Sequence, residues 1–338
     1  MMRRPHTQRR QRRRPNQSGV ALLVVLLLMA TLSAIAIVMV RNVQLTTARS
    51  FAMESLTQAR WYIQGAETFS VLLLEAQWKQ QPARDTLQDI WAREPATFPL
   101  EGGLMRAALK DETVCFNLNS LVSASEQERR ADPAAIAEYQ RLLEALEISG
   151  SLQTALTDSL VDWLDTDGLP RPDGAEDASY AALDVPYRAG NTLLSDVSEL
   201  RAIYWYSREI YERLRPYVCA HPSTRKSALN LNMVTEENAP VLYAMLGGSV
   251  SLSDTLRMLE ARPESGFETV EQFWALLPDT GTETIDETAR NRPNLWSQYI
   301  SLEAEVNHLD ARLAMTSLIE VSRDGTATAV RRKFGLIN

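Results

Sequence analysis

Residues Val20 to Val40 carry no charged side chain over 21 consecutive positions. A helix of that length rises about 30 Å, the thickness of a bilayer's hydrocarbon core. No other stretch constrains the chain as strongly, because a segment this apolar is stable only in lipid or against other apolar surfaces. In front of it stand Arg3, Arg4, Arg9, Arg10, Arg12, Arg13 and Arg14, and no acidic residue precedes Glu54. Basic residues resist translocation, so residues 1–19 are expected on the cytoplasmic side and everything after Arg41 on the other. The reading is a single-pass membrane protein with a large exported portion.

An ordinary secretory signal is cut after its apolar run, at a small-x-small site. Here the junctional glycine, Gly19, stands before the run. That order resembles the type IV prepilin class of signal, which a prepilin peptidase cuts after the glycine before methylating the new amino terminus. The resemblance implies a cleaved leader of residues 1–19, cleavage between Gly19 and Val20, N-methylation of Val20, and retention of the apolar helix. The alternative is an uncleaved signal anchor over the same span.

The 338 residues suffice for two domains. The formal net charge of −8 falls to about −15 once the seven leader arginines are removed. So acidic a chain is a poor binder of nucleic acid, whose phosphates require a basic face, and a reasonable binder of calcium. The two cysteines, Cys115 and Cys219, lie in the exported part. A disulfide between them would close a loop of about 100 residues and stabilise by roughly 2–4 kcal/mol; two buried thiols are the alternative. His6, His221 and His308 are scattered and suggest no zinc cluster.

After the apolar run no proline occurs until Pro82, and Gly65 is the one glycine. Leu45, Ala52, Ala59, Ala66 and Leu73 recur every seven residues, with Ala48, Leu56, Ile63 and Phe69 filling the stripe. This predicts one helix over 20–78 whose second half packs on a sheet, followed by a polar connection from Pro82 to Pro99. Strands are expected at 104–109 and 113–118 around a Lys110-Asp111-Glu112 turn, and again at 300–306, 313–321 and 326–333, with a hairpin turn at Arg323-Asp324-Gly325. Helical patterns fill the interval, at 132–146, 151–164, 195–202, 208–214, 236–246, 252–261 and 269–277. The economical fold is α+β: a long N-terminal helix on a small antiparallel sheet. That sheet is formed by residues 79–120 and 296–338 and interrupted by a large inserted helical domain, 121–295.

The densest carboxylate cluster lies in a Gly- and Pro-rich loop between Asp162 and Tyr180. Its bends allow Asp165, Asp167, Asp173, Glu176 and Asp177 to converge, and a Ca²⁺ ion, which takes six to eight oxygens, would relieve their repulsion. It is not an EF-hand, since counting from Asp165 the sixth position, where that loop turns on a glycine, is Pro170. The alternatives are a solvated acidic loop and a paired-carboxylate hydrolase, the latter lacking any other sign of a substrate cleft. Residues 261–273 resemble a helix-hairpin-helix unit, but their acidic flanks favour packing or protein contact over DNA. Gly247-Gly248 reads as a helix cap. No Gly-x-Ser-x-Gly motif, P-loop or Ser/His/Asp triad is present.

Taken together, Gly19-Val20-Ala21-Leu22, Phe116-Asn117-Leu118-Asn119-Ser120-Leu121, Asp162-Trp163-Leu164-Asp165-Thr166-Asp167 and Gly174-Ala175-Glu176-Asp177 resemble the K-type minor pseudopilins of type II secretion systems. Tyr180, Pro186-Tyr187-Arg188, Asn191, Ser198-Glu199-Leu200 and Asn230-Leu231-Asn232 extend the resemblance along nearly the whole chain. It implies a non-enzymatic inner-membrane protein with a periplasmic body and structural calcium in the acidic loop. Its implied partners are the I-type and J-type minor pseudopilins, the prepilin peptidase and other inner-membrane components of the system, with a place at the pseudopilus tip. Two departures stand out: Met233-Val234 follows Asn232 where the family usually has Thr-Ala, and Val24 occupies the fifth mature position, where most pseudopilins carry glutamate. The rival functions are a membrane-anchored periplasmic enzyme using the acidic loop and a DNA-uptake pilus component.

Overall fold

The computed structural model describes residues 18–93, 95–124, 128–278 and 285–335; the leader arginines lie outside the described residues. The chain divides after Gln58 into two compact units. Helix α1 spans Ser18–Gln80, two residues longer at each end than the pattern predicts. In the first unit every side chain from Val20 to Met53 is exposed. The sheet that α1 was expected to meet lies in the second unit.

There α1 buries Ala59, Ile63, Ala66 and Leu74. The stripe drifts from the expected heptad: Phe69 is 58% exposed, whereas Glu67 and Ser70 are buried. The reason is polar. The Glu67 carboxylate accepts from Arg332 Nε and Nη2, each at 2.7 Å, and from Ser317 Oγ at 2.6 Å, so this face of the helix is oriented by a buried carboxylate as much as by apolar side chains. Trp78 meets Trp296 edge-on at 5.1 Å, and Glu75 accepts from the Ala327 amide.

The main sheet is antiparallel in the order β1-β2-β7-β8-β9. Its strands are β1 (Ala96–Leu100), β2 (Gly103–Asp111), β7 (Tyr299–His308), β8 (Ala311–Val321) and β9 (Ala327–Phe334). Ile300, Leu302, Ala304 and Val306 of β7 are all buried, as their alternation predicts. The β8–β9 turn packs under α1. Gly325 adopts φ +84°, and a Cβ there would stand 2.1 Å from the Trp78 ring, so only glycine fits.

Two expectations in this region need correction. β1 lies inside the stretch expected to be a plain connection; Pro99 is tolerated because β1 is an edge strand. And no turn forms at Lys110-Asp111-Glu112, because Lys110 and Asp111 pair with Ser301 and Ile300. The strand ends when the Asp111 carboxylate accepts from the amides of Thr113 and Val114, a local side-chain turn that competes with further pairing. The chain then leaves the sheet. β3 (Phe116–Asn117) pairs in parallel with β6 (Val218–Cys219), and β4 (Val122–Ala124) pairs with β5 (Arg129–Ala131).

Between β2 and β7 the chain is mainly helical: α2 (Pro133–Ala145), α3 (Ser151–Leu164), α4 (Asp177–Ala181), α5 (Arg208–Leu214), α6 (Ala239–Met245), α7 (Leu252–Glu260), α8 (Val270–Trp274) and α9 (Glu287–Arg290). α2 starts where Asp132 accepts from the amides of Ala134 and Ala135, with Pro133 in the first turn. Residues 197–202, expected to be helical, form a 3₁₀ helix. Buried asparagines tie this region together. Asn117 donates to the carbonyls of Ser223 and Arg225 and accepts from the His221 amide, while Asn119 donates to those of Leu194 and His221.

Asp85 sits where α1's exit meets the sheet. Its amide donates to Leu295 and its carboxylate accepts from the Ser297 amide at 2.8 Å. Burial, with Asp89 and Asp111 nearby, pushes its pKa up to about 7. A raised carboxyl pKa means that the folded state retains a proton the unfolded chain releases. Its penalty is absent below about pH 4, grows towards pH 7 and is constant above. Asp85→Asn should therefore remove a loss of up to about 1.4 kcal/mol per pH unit across that window. Denaturant unfolding of both proteins at mildly acidic and mildly alkaline pH measures it, and parallel stability profiles would contradict the assignment.

Candidate metal centre

The acidic loop is built on the end of α3. Asp158, Asp162 and Asp165 stand at i, i+4 and i+7 on one face of α3, and Asp162 and Asp165 fall at its C-terminus, where the helix dipole disfavours negative charge. Each is dealt with differently. Asp158 forms an ion pair with Arg171, Nε to Oδ1 at 2.7 Å, and accepts from the Asp173 amide. Asp162, fully buried, accepts from the Arg171 amide at 3.1 Å, and burial raises its pKa to about 6. The loop thus wraps around the two helix carboxylates. Gly174 is required for that wrap, since a Cβ there would stand 1.9 Å from Asp162 Oδ2. Arg129 donates to the Leu164 carbonyl at 2.8 Å and to Asn191, supplying positive charge at the helix end.

Asp165, Asp167 and Glu176 converge, with one oxygen from each lying within 4.8 Å of the others. Asp165 and Glu176 are 6% and 5% exposed, and Asp165 Oδ1 and Glu176 Oε1 are buried without a hydrogen-bond partner. Burial first, and then mutual repulsion with Asp167 and Asp162, pushes the pKa of both up to about 7. Asp167 is exposed and accepts from the Leu169 amide. The other two residues expected in the cluster are placed elsewhere. Asp173 is exposed and bound through its amide to Asp158, and Asp177, in the first turn of α4, accepts from the Ala189 amide at 3.0 Å.

This donor set fits a hard divalent cation. Three carboxylates provide anionic oxygen, and two buried oxygens lack any other partner. Calcium would be held by Asp165, Asp167 and Glu176, and its charge would offset the repulsion that raises their pKa values. Of the residues that shape the loop, Asp162 stands out in the sequence only as part of a motif, and Asp158 and Arg171 are not singled out there. The i, i+4, i+7 spacing was the signal that could have marked the two aspartates.

The remaining motifs serve the scaffold. Cys115 and Cys219 are joined by a disulfide across 104 residues. The hairpin at 261–273 has its backbone occupied from within: Arg84 donates to the carbonyls of Ser265 and Phe267, Gln88 to that of Glu264, and Asn232 bonds both polar groups of the Phe267 backbone. The amides of Gly266, Phe267 and Glu268, the donors such a unit would offer to a phosphate, go instead to the Pro263 carbonyl and to the Asn232 and Gln272 side chains.

Two family models, each described as type II secretion system protein K, match residues 114–223 and 229–291. The chain is 32% identical to the type II secretion system protein K of Pectobacterium carotovorum subsp. carotovorum, over 95% of this chain and 98% of that one. It is 36% identical to that of Aeromonas hydrophila, over 75% and 78%. Among solved structures it resembles a chain of the GspK-GspI-GspJ complex from the enterotoxigenic Escherichia coli type 2 secretion system, with a TM-score of 0.72, 28% identity, and coverage of 86% of this chain and 100% of that one. The relatives carry the sequence likeness from end to end, and the solved neighbour carries the fold with it. The chain belongs to the protein K family, the K-type minor pseudopilins of type II secretion systems.

Proposed function

We propose that this minor pseudopilin caps the pseudopilus tip and helps to start its assembly. It would be anchored in the inner membrane by residues 20–40, with its body in the periplasm, until it is incorporated. The observation that carries the reading is Val24 within an exposed helix surface that carries no charge from Val20 to Val40. In a bundle of such helices a mature amino terminus is a positive charge among apolar side chains, and it is costly unless paired. A joining subunit uses a glutamate at its fifth position to neutralise the amine of the subunit already in place. The first subunit has no predecessor and needs none. Bulk agrees, because the large segment between β2 and β7 would collide with subunits stacked above it anywhere but at an end.

I-type and J-type minor pseudopilins are the partners, by likeness to the GspK-GspI-GspJ complex. An apolar groove of about 750 Å³, lined by Trp61, Phe69, Leu73, Ile90, Phe98 and Met105, supports the assignment. Trp61 and Ile90 are 64% and 65% exposed, and contiguous apolar surface of this kind marks protein contact. The prepilin peptidase would cut between Gly19 and Val20 and methylate Val20. Other inner-membrane components of the system would receive the processed chain.

Calcium in the acidic loop has a structural role in this reading and no catalytic one. It would neutralise Asp165, Asp167 and Glu176 and hold the loop against α3. Nucleic acid is not a partner, given the acidity of the mature chain and the internally occupied hairpin.

Three outcomes are expected. Calcium added to the metal-free full-length protein in detergent should raise its melting temperature, by about 2.7 kcal/mol of stability at 100 times the dissociation constant. Glu176→Gln should stabilise the metal-free protein yet abolish that response; calorimetry with no heat of binding and no thermal shift would remove calcium from the account. Mass spectrometry of the protein from its native host should find a chain starting at methylated Val20, and replacing Gly19 with a bulky residue should leave the full-length precursor; a native chain that is uncut, or cut after residue 40, would defeat the prepilin reading. A label on residues 121–295 should appear at one end of assembled pseudopili in electron micrographs, and labels spaced along the shaft would be incompatible with a cap.

A further inference from the structure

The disulfide has a neighbour the scaffold does not require. His221 is 3% exposed and lies against both sulfurs: Cys115 Sγ is 3.8 Å from Nε2 and Cys219 Sγ is 3.9 Å from Nδ1. One ligand atom from each of the three residues lies within 4.8 Å of the others. The ring's orientation is set from outside the disulfide. Nε2 is 2.9 Å from the Glu112 carbonyl, which can only accept, so Nε2 carries the proton and Nδ1 keeps its lone pair on the side of Cys219. A second nitrogen bonded to a backbone carbonyl is the arrangement that orients metal-binding histidines.

From this geometry we propose that, when the disulfide is reduced, Cys115, Cys219 and His221 form a site for one zinc-class divalent ion. Reduction by a dithiol adds two electrons and two protons across the S–S bond, giving two thiols while the reductant closes to its own disulfide. Metal binding then displaces the two thiol protons and leaves two thiolates and a neutral imidazole as ligands. In a tetrahedral zinc site a sulfur and a nitrogen stand about 3.5 Å apart and two sulfurs about 3.8 Å apart. The Cys219 sulfur already approaches the first value from Nδ1, whereas the Cys115 sulfur, now facing Nε2, would move towards Nδ1 as the sulfurs separate.

The positions of the three ligands do not depend on the S–S bond. β3 and β6 place Asn117 beside Cys219 by backbone pairing. Asn117 and Asn119 hold both backbone polar groups of His221, and Tyr299 stacks on its ring at 4.1 Å. A polar cavity of about 280 Å³ reaches Cys219 and His221 and is lined also by Glu112 and Ser301, which leaves room for a fourth oxygen ligand. A reduced chain would thus be clamped by a metal at the point where an oxidised chain is clamped by a bond.

The test uses Co²⁺ on the full-length protein in detergent, reduced anaerobically with a dithiol that is then removed. One thiolate-bound cobalt per chain should give sulfur-to-cobalt charge transfer in the near ultraviolet and tetrahedral d–d bands, and both should bleach when zinc is added. Oxidised protein should give neither band. Cobalt in the acidic loop has only oxygen ligands and is silent in charge transfer, so the two sites are distinguished. His221→Asn should weaken the thiolate-bound cobalt by tenfold or more, and Cys115→Ser should abolish the charge-transfer band. Reduced wild-type protein without that band, or His221→Asn protein indistinguishable from wild type, would overturn the proposal, leaving His221 as a packing residue against Tyr299. Because the oxidised wild type is its own control, the test does not depend on any variant folding.

Discussion

The exposed apolar surface of α1 from Val20 to Val40 is the constraint from which the protein's biology follows. At about 25 cal/mol per Å², so many uncovered aliphatic side chains are far too costly to leave in water. They demand lipid before assembly and neighbouring helices after it. The same helix must also join a folded body, and from Ala59 onward its surface changes accordingly. Alanines permit close approach to the sheet, and Glu67, buried but bonded to Arg332 and Ser317, fixes which face is presented. A buried carboxylate left without those donors would cost several kcal/mol, so the pairing specifies one orientation.

The body meets a second constraint in its acidic loop. Carboxylates at a helix C-terminus are unfavourable, yet α3 ends in two of them, Asp162 and Asp165, with Asp158 on the same face. Asp158 is neutralised by Arg171 and Asp162 is satisfied by loop amides, so these two shape the loop. Asp165 and Glu176 are left buried with unpaired oxygens, and their proton affinity rises in consequence. Repulsion that no protein group relieves is what a cation would relieve. The loop's stability and the calcium affinity proposed for it would thus be two descriptions of the same electrostatics.

The long-range pairing of β2 with β7 closes the sheet across roughly 190 residues of intervening chain. Loop closure of this size costs only a little more than closure of a short one, because the entropy grows with the logarithm of length. What such a closure needs is a well-anchored exit and return. Asp85, bonded to Leu295 and Ser297, Asp111, which ends β2 by capping Thr113 and Val114, and the Cys115–Cys219 bond provide it.

Much of this was legible in the residues themselves. The anchor, the length of α1, the helix boundaries at 151–164 and 208–214 and the terminal hairpin all follow from local rules of hydropathy, period and turn chemistry, which act over a few residues and so can be read along a line. The acidic loop was legible as a cluster for the same reason, but its membership was not. Which carboxylates converge depends on a bend around Asp158 and Asp162 that only the folded loop defines, so Asp165, Asp167 and Glu176 meet, while Asp173 is tied to Asp158 through its amide and Asp177 accepts from the Ala189 amide. β1 was hidden by its proline because edge status is a property of the sheet. The expected turn at 110–112 is absent because Lys110 and Asp111 continue the ladder with β7, whose residues come from the other end of the chain. Phe69 and Glu67 exchange their expected places because the partners that reward burial, Arg332 and Ser317, come from the other end of the chain. Sequence determined which segments must be apolar, helical or extended; tertiary structure decided which side chains face one another, since burial and electrostatics depend on neighbours distant in the chain.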